Sequence, residues 1–211
     1  EPRPAAAVCD AHVVTKGRLE AFTDAVIAIV MTIMVLDLRP PSGHGFGDLG
    51  HGLLAKLLVY ALSFTFLAIY WNNHHHLMHV VERIDGRVLW ANMGLLFALS
   101  LTPAATSWLG LHPNDTAPVV VYGLVLFLSA VAYFVLTRAL LALHPAGSRL
   151  ATAIGNDRKG RLSAVAYLAA IVVAFFVPGV AIAIYVAVAV VWLVPDSRIT
   201  RVIEGGDGTA S

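Results

Sequence analysis

The stretch RLEAFTDAVIAIVMTIMVLDL, residues 18–38, is an apolar run with charged residues near its start and a hydroxyl deep inside it. At about 1.5 Å per residue, a helix of this length crosses the roughly 30 Å hydrocarbon core of a bilayer. Arg18 and Asp24 lie near the start of the run, and Thr32 lies within it. Ionisable groups inside a span are costly and are usually paired or functional. The stretch therefore predicts a membrane helix whose polar residues have specific tasks.

The composition of the whole chain is typical of an integral membrane protein. Of 211 residues, 58% are hydrophobic and 13% are charged, and the mean hydropathy is +0.78. A soluble domain normally has about 25% charged residues. The formal net charge of +1 favours no nucleic-acid partner, and the lone Cys9 cannot form an intrachain disulfide. We expect no signal peptide before Arg18, so the first span would direct its own insertion.

We predict an all-α integral membrane protein that forms one transmembrane domain over residues 1–200 and crosses the membrane six times. The predicted spans are about Leu19–Leu38, Leu53–Trp71 with a His-rich extension to His79, Val88–Leu109, Pro118–Leu143, Leu162–Val177 and Val180–Val194. The last two are divided at Pro178-Gly179, because one helix over both would be roughly 50 Å long. The Gly-rich tail, residues 201–211, is expected to be flexible.

The basic residues lie mainly on one side of these six spans. Every Lys and Arg except Arg39 and Lys56 falls on the side that holds both termini. Cytoplasmic loops carry an excess of such residues, so we predict cytoplasmic N- and C-termini in the plasma membrane of a cell. The segment from Arg39 to Gly52, rich in Pro, Ser, Gly and His, would then be an external loop.

One face of the first span is marked by a 3- and 4-residue spacing. It carries Phe22, Ala25, Ile29, Thr32 and Leu36. In one interpretation this face packs on a neighbouring helix, and Thr32 bonds to its own backbone one turn back. In the other it lines a pore, where Ile29 and Leu36 form a hydrophobic constriction and the Thr32 hydroxyl meets the ion.

The second span ends in YWNNHHHLMH, residues 70–79, on the side where the first span begins. Arg18 and Asp24 are about 120° apart around their helix, so Asp24 should find its partner on another helix, while Arg18 can extend to the surface. The natural partners are Asn73, His74, His75 and His76. We predict a polar network that locks the first three spans, to which Asn92 of the third can add a hydrogen bond.

A metal site is the alternative for the histidines, because His75 and His79 are four residues apart on one helix face. No carboxylate or cysteine completes a zinc pattern, and no metal ligand is assigned. The chain also has no Gly-rich phosphate loop, no nucleophile elbow and no triad spacing, so no enzyme activity is expected. The segment VVVYGL, residues 119–124, lacks the threonine and paired glycines of a conventional potassium filter.

Several of these motifs resemble the endolysosomal potassium channel family known as transmembrane protein 175. RLEAFTD resembles its Arg-x-x-x-Phe-Ser-Asp signature, with Thr23 in place of the usual serine. Trp71-x-x-His74-x-x-Leu77-Met78 is similar to the family's Trp-x-x-His-x-x-Leu-Phe. Asn92 with the leucine-rich run to Pro103, and the closing Trp192-x-x-Pro195-Asp196, are also similar to the family pattern.

The resemblance implies a leak-type, potassium-selective cation channel without a conventional filter loop. A chain with one signature is implied to be a homotetramer whose first helices line the pore, with K+ as the permeant ion and no cofactor. By position, the resemblance places Ala25, Ile29, Thr32 and Leu36 on the pore face. It assigns a structural role to the signature residues Arg18, Phe22, Thr23 and Asp24. A supporting hydrogen-bond network would consist of Trp71, His74, His75 and Asn92.

Three other function classes stay open at this point. The first is a proton or non-selective cation channel that uses the same pore. The second is a histidine-dependent, metal-binding membrane protein. The third is a small-molecule transporter, which commonly has paired helix breaks near the middle of the membrane. The only Pro-Gly break here, at Pro178-Gly179, is interpreted as a loop.

Overall fold

The computed structural model describes residues 15–38, 51–145, 147–154 and 157–193, and these ranges are helical without strands. The helices are α1 (Lys16–Ile33), α2 (His51–Val80), α3 (Gly86–Ser100), α4 (Thr102–Leu111), α5 (Thr116–Leu143), α6 (Arg149–Ile154), α7 (Arg158–Ala174) and α8 (Pro178–Leu193). A 3-10 turn, Met34–Asp37, extends α1. The predicted flexible tail and nearly all of the predicted external loop lie outside the described residues.

Four segments of the described chain are long and apolar enough to cross a membrane. They are Lys16–Asp37, Leu53–Val80, Gly86–Leu111 and Thr116–Leu143. These agree with the first four predicted spans. The last two predicted spans correspond to the shorter helices α7 and α8. The first of these ends at Ala174, and the second begins at Pro178. Proline lacks an N–H and fixes its own φ, so it suits the first position of α8 and not the interior of a longer helix.

The third predicted span is divided in two, which the sequence analysis did not predict. The helix stops at Ser100 and restarts at Thr102. Pro103 explains the break, because it cannot donate to the carbonyl of Leu99 and its ring crowds that carbonyl. The N–H of Leu101 instead bonds to the carbonyl of Ala98 in a tighter turn. The short helix α6 was also not predicted, because six residues carry little periodic signal.

The helices pack into two apolar clusters that share α2 and α5. One cluster surrounds α1 and α3 and includes Ile27, Leu95 and Leu136. The other surrounds α7 and α8 and includes Tyr122, Tyr167 and Tyr185. Because α1 packs mainly on α3, α2 and α4, it lies on one flank of the subunit, and α7 packs on α5 and α8.

Close approach of α5 and α8 depends on a glycine. Gly123 of α5 faces the ring and hydroxyl of Tyr185 in α8, and a Cβ at this position would overlap both that hydroxyl and Ile171. The Tyr185 hydroxyl donates to the carbonyl of Val119, 3.3 Å away. Gly123 therefore leaves room for the Tyr185 ring, whose buried hydroxyl reaches the Val119 carbonyl; small residues have this role at many membrane helix contacts.

Candidate functional site

The two faces of α1 have opposite environments in the subunit. Leu19, Thr23, Ile27 and Val30 are buried against the bundle. The residues predicted to share a face all lie on the other side: Phe22, Ile29 and Leu36 are 50%, 56% and 75% exposed, and Ala25 and Thr32 are also exposed. Among the described residues, this face is left largely uncovered, so it is available for a pore or a contact between subunits.

Thr32 makes the backbone bond that the packing interpretation predicts, on an exposed face. Its hydroxyl donates to the carbonyls of Ala28, at 2.9 Å, and Ile29, at 3.0 Å. A hydroxyl has one proton and two lone pairs. Because the backbone takes the proton, the lone pairs are directed away from the helix, which is the orientation that suits a cation. The two interpretations of Thr32 are therefore compatible.

Behind this face, a directed chain of hydrogen bonds joins α1, α2 and α3. Asn92 Nδ2 donates to Thr23 Oγ1 at 2.8 Å, and Thr23 Oγ1 donates to the carbonyl of Leu19 at 2.9 Å. His74 Nε2 lies 3.1 Å from Asn92 Oδ1. Since that oxygen only accepts, the bond requires a proton on His74 Nε2. Thr23, His74 and Asn92 are fully buried, so a lost partner would leave a polar group without compensation.

A second contact joins the same helices nearer the surface. The indole Nε1 of Trp71 in α2 donates to Asp24 Oδ1 in α1 at 3.0 Å. The ring of His75 stacks on the Trp71 ring, with centroids 5.7 Å apart. His75 Nδ1 lies 3.6 Å from Glu20 Oε1, and His75 Nε2 lies 3.1 Å from His79 Nε2. Asp24 and Glu20 of α1 are thus held by the histidine-rich end of α2.

The structure brings together most of the polar residues predicted to form a network, but the hydrogen-bonded pairs differ from the predicted ones. The hydroxyl of Thr23, and not the charge of Asp24, is the α1 member of the chain with His74. Arg18 is exposed and stays outside that network. Asn73 donates to the carbonyl of Ile69 in its own helix. Sequence reasoning missed Glu20, although its position one turn before Asp24 placed it on the same helix face.

A metal centre is not built by the histidines where the structure describes them. No group of three His, Cys, Asp or Glu residues with suitable geometry occurs in the described ranges. His75 and His79 are bonded to each other, so one nitrogen of each is occupied.

Asp37 is a further residue that the sequence analysis did not single out. It lies in the 3-10 turn after the exposed face and lines a cavity of about 320 Å³ with Lys56, Tyr60 and Thr106. Its carboxylate therefore lies at the opposite end of α1 from the histidines. The signal in the sequence was its place directly after Leu36, at the end of the apolar run.

Comparisons with known proteins identify a family match that spans α1 to α3. A family profile described as "Endosomal/lysosomal potassium channel TMEM175" matches residues 18–103. A protein of Chryseobacterium named as a potassium channel is 44% identical over 190 residues, which is 90% of this chain and 98% of that protein. A zebrafish protein named as the endosomal/lysosomal proton channel TMEM175 is 28% identical, over 66% of this chain and 27% of its own length.

The fold is similar to a solved structure. The crystal structure of a TMEM175 homologue from Chamaesiphon minutus, described as a lysosomal potassium-selective channel, superposes with a TM-score of 0.67. The two chains are 24% identical, and the match covers 84% of this chain and 96% of the other. At this identity the likeness shows a shared fold.

Proposed function

The chain belongs to the TMEM175 ion channel family, and on that premise we propose that it is a potassium-selective leak channel formed by four copies. The α1 helices of the four subunits line the pore, and K+ passes between them without a conventional filter loop. Because the family is one of ion channels and not of enzymes, no catalytic centre is assigned.

The observation that carries this proposal is the contrast between the two faces of α1. An apolar helix face with a hydroxyl in its centre is exposed in the subunit. The opposite face is held by a buried hydrogen bond from Asn92 of α3, which is itself bonded to His74 of α2. Assembly around a fourfold axis would direct the exposed face to the centre, where Ile29 and Leu36 narrow the pore and Thr32 contributes four hydroxyl oxygens. Such apolar constrictions control ion passage by dewetting.

In the membrane, we propose six crossings with both termini in the cytoplasm. The start of α1, the end of α2 and the start of α3 lie at one end of the bundle, as the bonds of Asp24 and Thr23 require. The basic residues Lys16, Arg83, Arg87 and Arg158 fall at that end. The positive-inside rule then places it in the cytoplasm of a cell with this channel in its plasma membrane.

The experiment for the proposal is ion flux into liposomes that contain the purified protein. Flux driven by a potassium gradient should exceed flux driven by a matched sodium gradient. Ala25→Trp would fill the proposed pore and should abolish flux, while Ala187→Trp, at an exposed position of α8, should not. Chemical crosslinking of the same vesicles should give a tetramer. A tetramer with equal potassium and sodium flux, or flux that survives Ala25→Trp, would contradict the proposal.

Proton conduction is the second candidate, and the name of the zebrafish relative favours it. A pore lined by a single layer of hydroxyls offers protons the same route as potassium. A pH-sensitive dye inside the liposomes separates the two candidates. Dye acidification in a proton gradient without potassium would identify a proton pathway, and its absence beside robust potassium flux would exclude one under those conditions.

A further inference from the structure

A cavity of about 370 Å³ lies between α2, α5, α7 and α8, away from the exposed face of α1. It extends along α7 from Gly160 to Tyr167, which is roughly 10 Å of helix. Phe66 and Tyr70 of α2 form its inner wall. Pockets of this size, lined mainly by apolar side chains with a few polar groups, are typical binding sites for small amphiphilic molecules.

The cavity opens to the outer surface of the bundle between α5 and α7. Val131 and Phe134 of α5 and Val165 of α7 line it, and their side chains are 37%, 43% and 64% exposed. An apolar opening on the flank of a membrane protein faces acyl chains rather than water. A ligand that enters by this opening must therefore be soluble in the bilayer.

The charged groups that line the cavity lie at one end of it, where α7 begins. Asp157, Arg161 and Ser163 line that end together with Trp192 of α8. Trp192 Nε1 donates to Ser163 Oγ at 2.8 Å, and the Lys159 ammonium lies 4.7 Å from the centre of the Trp192 ring. Arg158, Lys159 and Arg161 outnumber the single carboxylate of Asp157 in this turn. The site therefore combines an apolar slot with a cationic rim.

We propose that this cavity binds one acyl chain of an anionic phospholipid in each subunit. The acyl chain fills the apolar slot from the α5–α7 side. The phosphate of the headgroup lies at the level of Arg158, Lys159 and Arg161, where cations near a membrane surface attract anionic lipid. The tryptophan at the rim occupies the interfacial depth that such side chains prefer.

The bound lipid would contact the helix that positions α1. The Tyr133 hydroxyl, beside the cavity, donates to the carbonyl of Asn73 in α2 at 3.2 Å. The next residue, His74, is part of the hydrogen-bond chain to α1. The lipid thus supports α2 on the side opposite to the pore helix.

Native mass spectrometry tests this proposal without any measurement of ion flux. The protein is reconstituted in nanodiscs that contain equal amounts of phosphatidylglycerol and phosphatidylcholine. It is then released from the nanodiscs in the mass spectrometer, and the lipids that stay bound to each subunit are counted. About one phosphatidylglycerol per subunit is expected. Ala164→Phe, which fills the cavity, should lose it, while Ala169→Phe, at an exposed position of the same helix outside the cavity, should retain it.

A charge variant keeps the test decisive if Ala164→Phe fails to fold. Arg161→Gln leaves the slot open and should lower the preference for phosphatidylglycerol over phosphatidylcholine about fivefold, the factor that corresponds to one basic residue near a membrane surface. Arg138→Gln, at an exposed position of α5 outside the cavity, should leave the preference unchanged. Equal retention of both lipids by the wild type, or an Arg161→Gln preference equal to that of Arg138→Gln, would overturn the proposal.

Discussion

At the scale of single residues, the orientation of the Thr32 hydroxyl is set by the helix backbone. The hydroxyl proton is held by the carbonyls of Ala28 and Ile29. Only lone pairs remain for a group in front of the helix. Four such oxygens around an axis would form a neutral, acceptor-only layer between the apolar layers of Ile29 and Leu36. Such a layer partly replaces the water that a potassium ion loses in a narrow pore.

We expect Thr32→Ala to lower the ratio of potassium to sodium flux in liposomes about fivefold, the factor that corresponds to ~1 kcal/mol for a lost polar contact. The matched control is Thr65→Ala, which removes a hydroxyl that makes the same kind of backbone bond in α2, to Ala61. Its ratio should equal that of the wild type. An unchanged ratio in Thr32→Ala would remove the hydroxyl layer from the mechanism.

At the scale of helices, the side-chain amide of Asn92 links α1 to α2 and α3. Asn92 of α3 accepts from His74 of α2 and donates to Thr23 of α1, so both ends of a single side chain are used. The bonds are directional, and they hold the Thr23 face of α1 toward the bundle. With Thr23 facing the bundle, Phe22, Ile29 and Leu36 are exposed on the other face of α1.

Asn92→Ala should therefore destabilise the subunit by about 1–2 kcal/mol, because Thr23 and His74 lose partners in a buried environment. Thermal unfolding in nanodiscs, followed by tryptophan fluorescence, measures the change. Asn72→Ala removes an exposed amide from α2 and should have little effect. If both variants unfold at the wild-type temperature, the network does not contribute to the seating of α1.

A second prediction at the scale of helices concerns the contact between α5 and α8. Gly123→Ala places a methyl group against the Tyr185 hydroxyl and Ile171, so the helices must separate or the tyrosine must turn. Overpacking of this kind costs about 1–3 kcal/mol. Gly94→Ala in α3 meets no atom within 4 Å and should preserve or raise stability, since alanine favours a helix. The melting temperature of Gly123→Ala should thus fall while that of Gly94→Ala stays the same or rises, and equal shifts would contradict the packing argument.

The sequence predicted the helices well where the signal was local. Runs of apolar residues located the four long spans, and a 3- and 4-residue spacing identified the exposed face of α1. The break before Pro103 was missed because the surrounding leucines kept the run continuous. Thr23 was assigned to the structural signature, but its bond to Asn92 was missed, because the two residues are 69 positions apart and only packing brings them together.

At the scale of the whole molecule, the subunit has two distinct sides. The α1 side carries an exposed, mainly apolar helix face, and the α5–α7 side carries a lateral cavity. The shared helices α2 and α5 lie between them and carry contacts in both directions. This arrangement suits a channel whose pore helices meet at a central axis while the outer helices meet lipid.

The number of membrane crossings decides whether this arrangement is oriented as proposed, and the single cysteine of the chain allows a direct test. Six crossings place residues 9 and 211 in the cytoplasm. A membrane-impermeant maleimide should therefore label Cys9 of the wild type only in inside-out vesicles. The same holds for Ser211→Cys in a Cys9→Ser background. A cysteine introduced by Ser42→Cys in the same background should react only in intact cells, because it lies beyond the first span. If only one of α7 and α8 crossed, or if the two crossed as a single span, five crossings would place residue 211 outside, and Ser211→Cys would be labelled in intact cells together with Ser42→Cys. Labelling of Cys9 in intact cells would instead invert the whole bundle and place the basic residues outside, against the positive-inside rule.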